Sequence, residues 1–202
     1  LMITVGADRT ARVWNYLQGK VELVHNFQAE EPTCIACHFS GFQALVGFKD
    51  RIRLYNIAMS ELKQCREMFV KGCRDIAYSH GGHMFATNSS MNLVVYCAVS
   101  FEQLYSFSGH MNSVKYIAWC HDDLAVVSAG MDGNIYGWDM SSKQRIDLIP
   151  QTGRTQPFTG LVVDSREMTR ELSSVTRTDA ADDEEIRGVN FALVSSNDGT
   201  LR

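Results

Sequence analysis

The stretch LAVVSAGMDGNIYGWD, residues 124–139, contains two apolar segments separated by a tight turn. Residues 124–128 are apolar and β-branched, as in a buried strand. Residues 132–134 (DGN) supply a turn that tolerates positive φ, and residues 135–139 continue as a second strand. Together with residues 114–119 and 145–149, which read as an inner and an outer strand, this stretch predicts a four-stranded antiparallel sheet.

Aromatic residues recur along the chain at a period in the low forties. Trp138 is preceded by Tyr96, Tyr55 and Trp14, at intervals of 42, 41 and 41 residues. An Ile-Ala pair repeats with a matching spacing at residues 35, 76 and 117. Such a period is typical of a β-propeller, in which each repeat forms one four-stranded blade. We therefore predict an all-β protein.

The composition argues against several classes of protein. The 202 residues are 45% hydrophobic and 21% charged, and their net charge of -4 gives no whole-chain argument for nucleic-acid binding. No apolar run approaches the about 18 residues of a membrane helix, and no basic segment resembling a signal peptide opens the chain. Six cysteines are spread through strand-like segments, which favours reduced thiols in a cytoplasmic protein.

Two dipeptides, Gly-His at residues 109–110 and Trp-Asp at residues 138–139, resemble those of the WD-repeat family. In that family a His, a Ser or Thr, an Asp and the Trp form a hydrogen-bonded structural tetrad. The resemblance implies that the tetrad here consists of His110, Ser128, Asp132 and Trp138. Buried indole N–H and imidazole groups need such partners, because an unpaired polar group in a core is costly.

The other repeats retain this set only in part. The first keeps Thr4, Asp8 and Trp14, whereas the second and third have Tyr55 and Tyr96 in place of the Trp and lack the remaining members. We expect the degenerate blades to depend on apolar packing alone.

The period divides the chain into five blade-like units, at about 1–28, 29–69, 70–108, 109–150 and 151–202. We therefore predict an incomplete WD-repeat β-propeller of about four to five four-stranded blades, belonging to a longer protein that completes the ring. The last unit contains an acidic insertion at about 166–188 with few large apolar residues. This insertion is interpreted as a solvated loop, with a binding loop as the alternative.

Motifs that would carry chemistry are absent or explained by the repeat. Residues 34–38 (CIACH) match a c-type haem attachment motif, but the repeat places them on an inner strand, where alternate side chains point to opposite faces. Residues 80–83 (HGGH) fall in a turn. No hydrolase, metalloprotease or P-loop motif is found. We predict no metal, no cofactor and no enzyme activity.

One group of basic residues is a candidate partner-binding face. Some occupy equivalent tight turns of successive blades, and others lie in the connection to the next inner strand, so that all should open on one side of a propeller. The set is Arg9, Lys49, Arg51, Lys71 and Arg74. Such a face would suit an acidic partner. An ordinary solvated surface is the alternative, because acidic residues 30 and 31 share that side.

Three stretches resemble, more specifically, WD-repeat proteins of the motile ciliary axoneme: residues 45–54, 71–86 and 128–133. The resemblance implies a non-catalytic scaffold of the cytoskeleton, located in the cilium or flagellum, with propellers followed by a coiled coil. Its role would be docking or assembly of inner dynein arms on doublet microtubules. Its partners would be axonemal proteins, such as dynein arm or doublet-associated proteins, and neither nucleic acid nor membrane. A WD-repeat scaffold in another cytoplasmic complex, such as a ubiquitin ligase adaptor or a transport complex, stays open.

Overall fold

The computed structural model of the protein describes residues 1–58, 60–149, 158–163 and 192–196. The regular elements in these residues are seventeen β-strands, and none is a helix, so no helix that could cross a membrane is found there. The acidic insertion predicted at about 166–188 lies outside the described residues.

The strands form five antiparallel sheets, and neighbours in each sheet follow one another in the chain. Sheet 1 contains β1 (Met2–Val5), β2 (Thr10–Asn15) and β3 (Lys20–Asn26). Sheet 2 contains β4 (Cys34–Cys37), β5 (Gln43–Gly47), β6 (Arg51–Ile57) and β7 (Leu62–Phe69). Sheet 3 contains β8 (Ile76–Tyr78), β9 (Met84–Ser89), β10 (Asn92–Cys97) and β11 (Gln103–Phe107). Sheet 4 contains β12 (Val114–Trp119), β13 (Ala125–Gly130), β14 (Ile135–Asp139) and β15 (Arg145–Ile149), and sheet 5 pairs β16 (Phe158–Val163) with β17 (Ala192–Ser196).

This architecture confirms the prediction of an all-β chain built from four-stranded antiparallel sheets, and it is consistent with an incomplete β-propeller. The bounds of β12, β14 and β15 agree with those expected from the sequence. Each repeat folds as a meander because its strands are joined by short turns, which suit antiparallel pairing.

Burial is graded across each sheet. The second strands β5, β9 and β13 are almost wholly buried, since they are flanked by strands on both edges and covered by neighbouring sheets on both faces. Their sequences are accordingly near-continuous runs of apolar or small residues rather than alternating patterns. The outer strand β7, in contrast, is mostly exposed and carries charged residues.

The four repeat aromatics occupy corresponding strands. Trp14 lies in β2, Tyr55 in β6, Tyr96 in β10 and Trp138 in β14. In the first three sheets the pairing with the outer strand shifts register directly before this aromatic residue. The outer strand therefore has one additional residue opposite it, which is the definition of a β-bulge and bends the strand.

Apolar side chains fill the space between successive sheets. The cluster between sheets 2 and 3 is centred on Phe85, which is fully buried and stacks on Tyr96 with ring centroids 5.4 Å apart. Polar contacts cross the same boundaries. Trp119 Nε1 donates to the Ala77 carbonyl at 2.9 Å, joining sheet 4 to sheet 3. The Asp123 carboxylate accepts the backbone N–H of His80 at 2.7 Å, which ties the turns of the same two sheets.

Truncation of the central aromatic should test the importance of this packing. We expect Phe85→Ala to lower the free energy of unfolding by about 3–5 kcal/mol, because it leaves a cavity between two sheets. The matched control is Phe39→Ala, since Phe39 is 72% exposed and should cost less than about 1 kcal/mol. Urea denaturation of both variants measures the difference, and equal costs would contradict the assignment of Phe85 to the core.

Candidate functional site

Four polar side chains of sheet 4 form a connected hydrogen-bonded chain. Trp138 Nε1 donates to Ser128 Oγ at 2.8 Å, and Ser128 Oγ lies 2.8 Å from His110 Nε2. The other ring nitrogen of His110 lies 3.1 Å from both carboxylate oxygens of Asp132. Because the carboxylate can only accept, His110 Nδ1 carries the proton and Nε2 accepts the Ser128 hydroxyl.

Burial and hydrogen bonding together determine which of these four side chains is charged. It lowers the pKa of His110 and favours the neutral imidazole. Burial alone would raise the pKa of Asp132, but the N–H of Met111, 2.9 Å away, and His110 outweigh it and hold that pKa below its usual value. The Asp132 carboxylate is thus the one charged group among the four side chains. Its hydrogen bonds join the connection before β12 to the turn after β13.

The hydrogen-bonded pair of His110 and Asp132 leaves no room for a side chain at the neighbouring residue 130. Gly130 stands beside the pair, and a Cβ there would lie 2.3 Å from Asp132 Oδ1 and 2.4 Å from His110 Nδ1. Any larger residue would have to displace the two hydrogen-bonded groups. The glycine is therefore required for close approach rather than for backbone conformation.

Ser128, His110 and Asp132 are hydrogen-bonded to one another in the order found in a hydrolytic triad. Their environment does not permit that chemistry. Ser128 is fully buried, and its oxygen already accepts the indole N–H of Trp138. A nucleophile must reach a substrate carbonyl with an oxyanion site beside it. A buried hydroxyl capped by a tryptophan cannot do so, so these contacts hold the sheet together.

The remaining repeats use other polar contacts. Trp14 Nε1 donates to Thr4 Oγ1 at 2.8 Å, which repeats the tryptophan–hydroxyl contact in sheet 1. In sheet 3 the fully buried Asn88 accepts the N–H of Arg74 at 2.8 Å and donates to the Val114 carbonyl at 2.8 Å. The expectation that degenerate blades rely on apolar packing alone is therefore wrong for sheet 3. The signal was an asparagine where the other repeats have glycine.

A half-buried carboxylate that sequence reasoning missed lies between sheets 3 and 4. Asp75 accepts the N–H of Ile117 in the next sheet at 2.8 Å and that of Ile76 at 3.0 Å. Its burial raises its pKa to about 6, although both N–H donors act in the opposite direction. Folding thus favours the protonated form of this group.

In sheets 2 to 4 the turn between the second and third strands, and in sheet 1 the turn between β1 and β2, lie on one side of the structure together with the connections between sheets. We call this side the loop face. Backbone hydrogen bonds fasten each turn to its connection. Phe27 N donates to the Arg9 carbonyl, Gly72 N to the Lys49 carbonyl, and Met131 N to a carbonyl of the connection before β12, each at 2.9 Å. The turn and connection residues of sheets 1, 2 and 4 are thereby held at a common edge.

The five basic residues singled out in the sequence all belong to the loop face, but their surroundings differ. Arg51 is fixed by ion pairs, with Nη1 at 3.1 Å from Glu67 and Nε at 3.6 Å from Glu30. Arg53 joins the same two carboxylates, at 2.6 Å from Glu67. Arg74 Nη1 lies 3.8 Å from the sulfur of Met131. Glu67 was missed in the sequence because it is a cross-strand neighbour of Arg53 rather than a loop residue.

Arg9, Lys49 and Lys71 are exposed and form no ion pair within the described ranges. Lys49 borders a cleft of about 480 Å³ between the connection of sheet 1 and the turn of sheet 2. Residues of both signs and one aromatic side chain line this cleft: Glu30, Glu31, Phe48, Lys49, Asp50 and Arg51. The loop face is therefore mixed in charge at the cleft, and Lys49 is its exposed, unpaired cation within the described ranges.

No group of three or more His, Cys, Asp or Glu side chains that could hold a metal ion is found in the part of the chain that the structure describes.

Comparison with known proteins agrees with this geometry. Residues 101–139 match the family described as WD domain, G-beta repeat. The chain is 34% identical over 145 residues to Cilia- and flagella-associated protein 57 of Mus musculus, covering 72% of this chain and 12% of that protein. It is 34% identical over 173 residues to Cilia- and flagella-associated protein 57 A of Tetrahymena thermophila, covering 82% of this chain and 12% of that protein.

A more distant similarity links the chain to a p21-activated protein kinase-interacting protein 1-like protein of Danio rerio, with 24% identity over 81% of this chain and 45% of that protein. This chain contains a WD40 repeat domain, and it has homologues named cilia- and flagella-associated protein 57 over most of its length. It spans 12% of the length of the first two of these relatives.

The serine of sheet 4 offers a test of the hydrogen-bonded chain. Ser128→Ala leaves the Trp138 N–H and the His110 ring without their shared partner, so we expect the free energy of unfolding to fall by about 1–3 kcal/mol. Ser106→Ala is the control, because Ser106 is exposed. Chemical denaturation gives both values, and a Ser128→Ala variant as stable as the control would show that the contacts contribute nothing.

Asp75 should give the protein a measurable pH dependence. Its raised pKa means that stability conferred by the protonated form is present at acidic pH and is lost as pH rises through about 6. We expect the difference in unfolding free energy between wild type and Asp75→Asn to change by about 3 kcal/mol between the ordinary pKa of 3.8 and the raised pKa of about 6, since the variant cannot titrate there. Urea denaturation at successive pH values measures it. If the difference in unfolding free energy between the two proteins stays constant with pH, the raised pKa of Asp75 is contradicted.

Proposed function

We propose that this chain is part of a non-catalytic WD-repeat scaffold of the motile ciliary axoneme, where it supports docking or assembly of inner dynein arms on doublet microtubules. The observation that carries the proposal is the similarity, over most of the chain, to proteins named for cilia and flagella. In the full-length protein the chain would join the remainder of a propeller and a coiled coil, and it would be located in the cytoskeleton of the cilium or flagellum.

The buried polar groups support a scaffold rather than an enzyme. Ser128, His110 and Asp132 satisfy one another inside sheet 4, and Asn88 satisfies backbone groups of sheets 3 and 4. The polar groups of these residues already have hydrogen-bond partners, and their contacts hold strands and connections in place. The WD40 repeat supports the same conclusion, because proteins of this kind present surfaces to protein partners.

The loop face is the proposed partner-binding surface. Arg9, Lys49 and Lys71 project from it without ion pairs within the described ranges, and the cleft beside Lys49 offers an aromatic floor at Phe48. Cations at the rim of an interface mainly accelerate association and make it sensitive to salt. Arg51 has a different role, since its ion pairs with Glu30 and Glu67 fix the turn that carries Lys49.

A WD-repeat scaffold of another cytoplasmic complex is the second candidate. The relative from Danio rerio, which is named as interacting with a protein kinase, favours protein interaction in general without a ciliary location. Location separates the two candidates: an axonemal scaffold remains with isolated axonemes after detergent extraction, whereas a ubiquitin ligase adaptor or a transport component is released.

Charge reversal on the loop face tests both location and surface. The full-length protein carrying Arg9→Glu, Lys49→Glu and Lys71→Glu is expressed in ciliated cells that lack the native protein. We expect its incorporation into axonemes to fall several-fold, because its association with an acidic partner is slowed. Arg51 is left unchanged, so that the ion pairs inside sheet 2 persist. Quantitative immunoblotting of isolated axonemes measures incorporation.

The matched control reverses three cations near the opposite turns, Lys20→Glu, Lys63→Glu and Lys143→Glu, and should incorporate normally. Normal incorporation of the loop-face variant, with normal inner-arm content, would show that partners do not bind this surface. Absence of the wild-type protein from axonemes would instead overturn the ciliary scaffold itself, whatever the behaviour of the variants.

A further inference from the structure

Two cysteines from neighbouring sheets meet in the interior beneath the loop face. Cys34 is the first residue of β4, and Cys73 lies in the connection that leads from sheet 2 into β8. Their sulfur atoms are 3.6 Å apart, although 39 positions separate the residues in sequence. Both are free thiols, Cys73 being buried and Cys34 partly exposed. The contact therefore spans the boundary between two sheets.

The surroundings hold the two sulfurs together. Gly47 pairs with Cys34 across β4 and β5, and a Cβ at Gly47 would lie 2.4 Å from the sulfur of Cys34 and 2.9 Å from that of Cys73. The missing side chain thus provides the space that both thiols occupy. Thr33, next to Cys34 in the chain, donates from its hydroxyl to the Cys73 carbonyl at 3.0 Å. The Thr33 side chain thus joins the two cysteine segments without involving the sulfurs.

We propose that Cys34 and Cys73 form a redox modification site, in which a reversible disulfide links the inner strand of sheet 2 to the connection entering sheet 3. A disulfide bond is about 2.05 Å long, so the sulfurs must approach by about 1.5 Å. Both atoms are ends of short side chains that turn about χ1, and Thr33 already holds the neighbouring segments together. Rotation about these bonds can bring the sulfurs closer.

The chemistry balances with hydrogen peroxide as oxidant. The thiolate of one cysteine of the pair attacks one peroxide oxygen, giving a sulfenic acid and, with the proton lost by that cysteine, one molecule of water. The sulfur of the other cysteine then attacks the oxidised sulfur, forming the S–S bond and releasing hydroxide, which takes up the proton lost by the second cysteine. Two thiols lose two electrons and two protons, and the peroxide becomes two molecules of water. A dithiol reductant reverses the change.

The local hydrogen bonds make the acidity of the two thiols unequal. The S–H of Cys34 lowers the pKa of the Cys73 thiol, and the Thr87 hydroxyl, 3.3 Å from that sulfur, acts in the same direction against burial. The same contact and burial raise the pKa of Cys34. Either thiol can be oxidised first, since the sulfur of the partner lies 3.6 Å away in both cases.

The consequence concerns the loop face. Residues 70–75 carry Lys71 and Arg74, and the disulfide would fasten this connection to β4 through a covalent bond. A cross-link that closes a long loop restricts the unfolded chain more than a short one. Oxidation would thus stiffen the boundary between two sheets while leaving the exposed cations in place. This inference rests on the thiol geometry and is independent of the proposed ciliary function.

Peptide mapping tests the site directly. The full-length protein is reduced, treated with hydrogen peroxide, blocked with N-ethylmaleimide and digested, and the linked peptides are identified by mass spectrometry. We expect one predominant cross-link, between Cys34 and Cys73, that dithiothreitol removes. Cys65→Ser, at an exposed cysteine, should leave it unchanged. Cys73→Ser and Cys34→Ser should each abolish it.

A second variant keeps both thiols and changes only their spacing. Gly47→Ala introduces a methyl group against both sulfurs, and we expect disulfide formation to slow at least about tenfold as they separate. If the variants fail to fold, the peptide map of the wild-type protein is sufficient to test the proposal. Cross-links dominated by other pairs, or an unlinked Cys34 and Cys73 when the exposed Cys37 and Cys65 have become oxidised, would overturn the proposal.

Discussion

Contact between successive sheets is the constraint on which the rest of this structure depends. A four-stranded sheet whose second strand is apolar on both faces must be covered on both faces, so each sheet needs its neighbours. Apolar packing supplies the energy for this contact, but it is not directional. Direction comes from a few partly buried hydrogen bonds, such as those from Ile117 to Asp75 and from Trp119 to the Ala77 carbonyl. Those bonds join specific groups of one sheet to specific groups of the next.

The sequence period was enough to predict the order of strands and the position of the repeat aromatic in each sheet. Turn residues and β-branched runs located β12, β14 and β15, and the spacing of Trp138 indicated the strand that carries the repeat aromatic. The contacts between sheets were not predictable in this way. Asn88 and Asp75 act at positions where other repeats have different residues, and Cys34 and Cys73 are 39 positions apart, out of step with the repeat.

The basic residues show a similar limit. Their positions in turns and connections followed from the period, and the structure places them on the loop face. Whether a cation is exposed or already paired depends on side chains from neighbouring strands, as Glu67 on β7 shows for Arg51. Cross-strand neighbours are set by register, and register changes at the bulge in the same pair of strands. A pattern of charges in a sequence therefore locates a surface more reliably than it identifies the groups that can bind a partner.

The additional residue on the outer strands has a geometric consequence. In sheet 2 the register with β7 shifts between Leu54 and Tyr55, so that Cys65 is the additional residue of the outer strand. A bulge of this kind increases the local twist and bends the strand that contains it. Successive side chains of a strand point to opposite faces of the sheet. Deletion of the additional residue would therefore shift the register of β7 on one side of the bulge by one position, and the side chains there would exchange their buried and exposed faces.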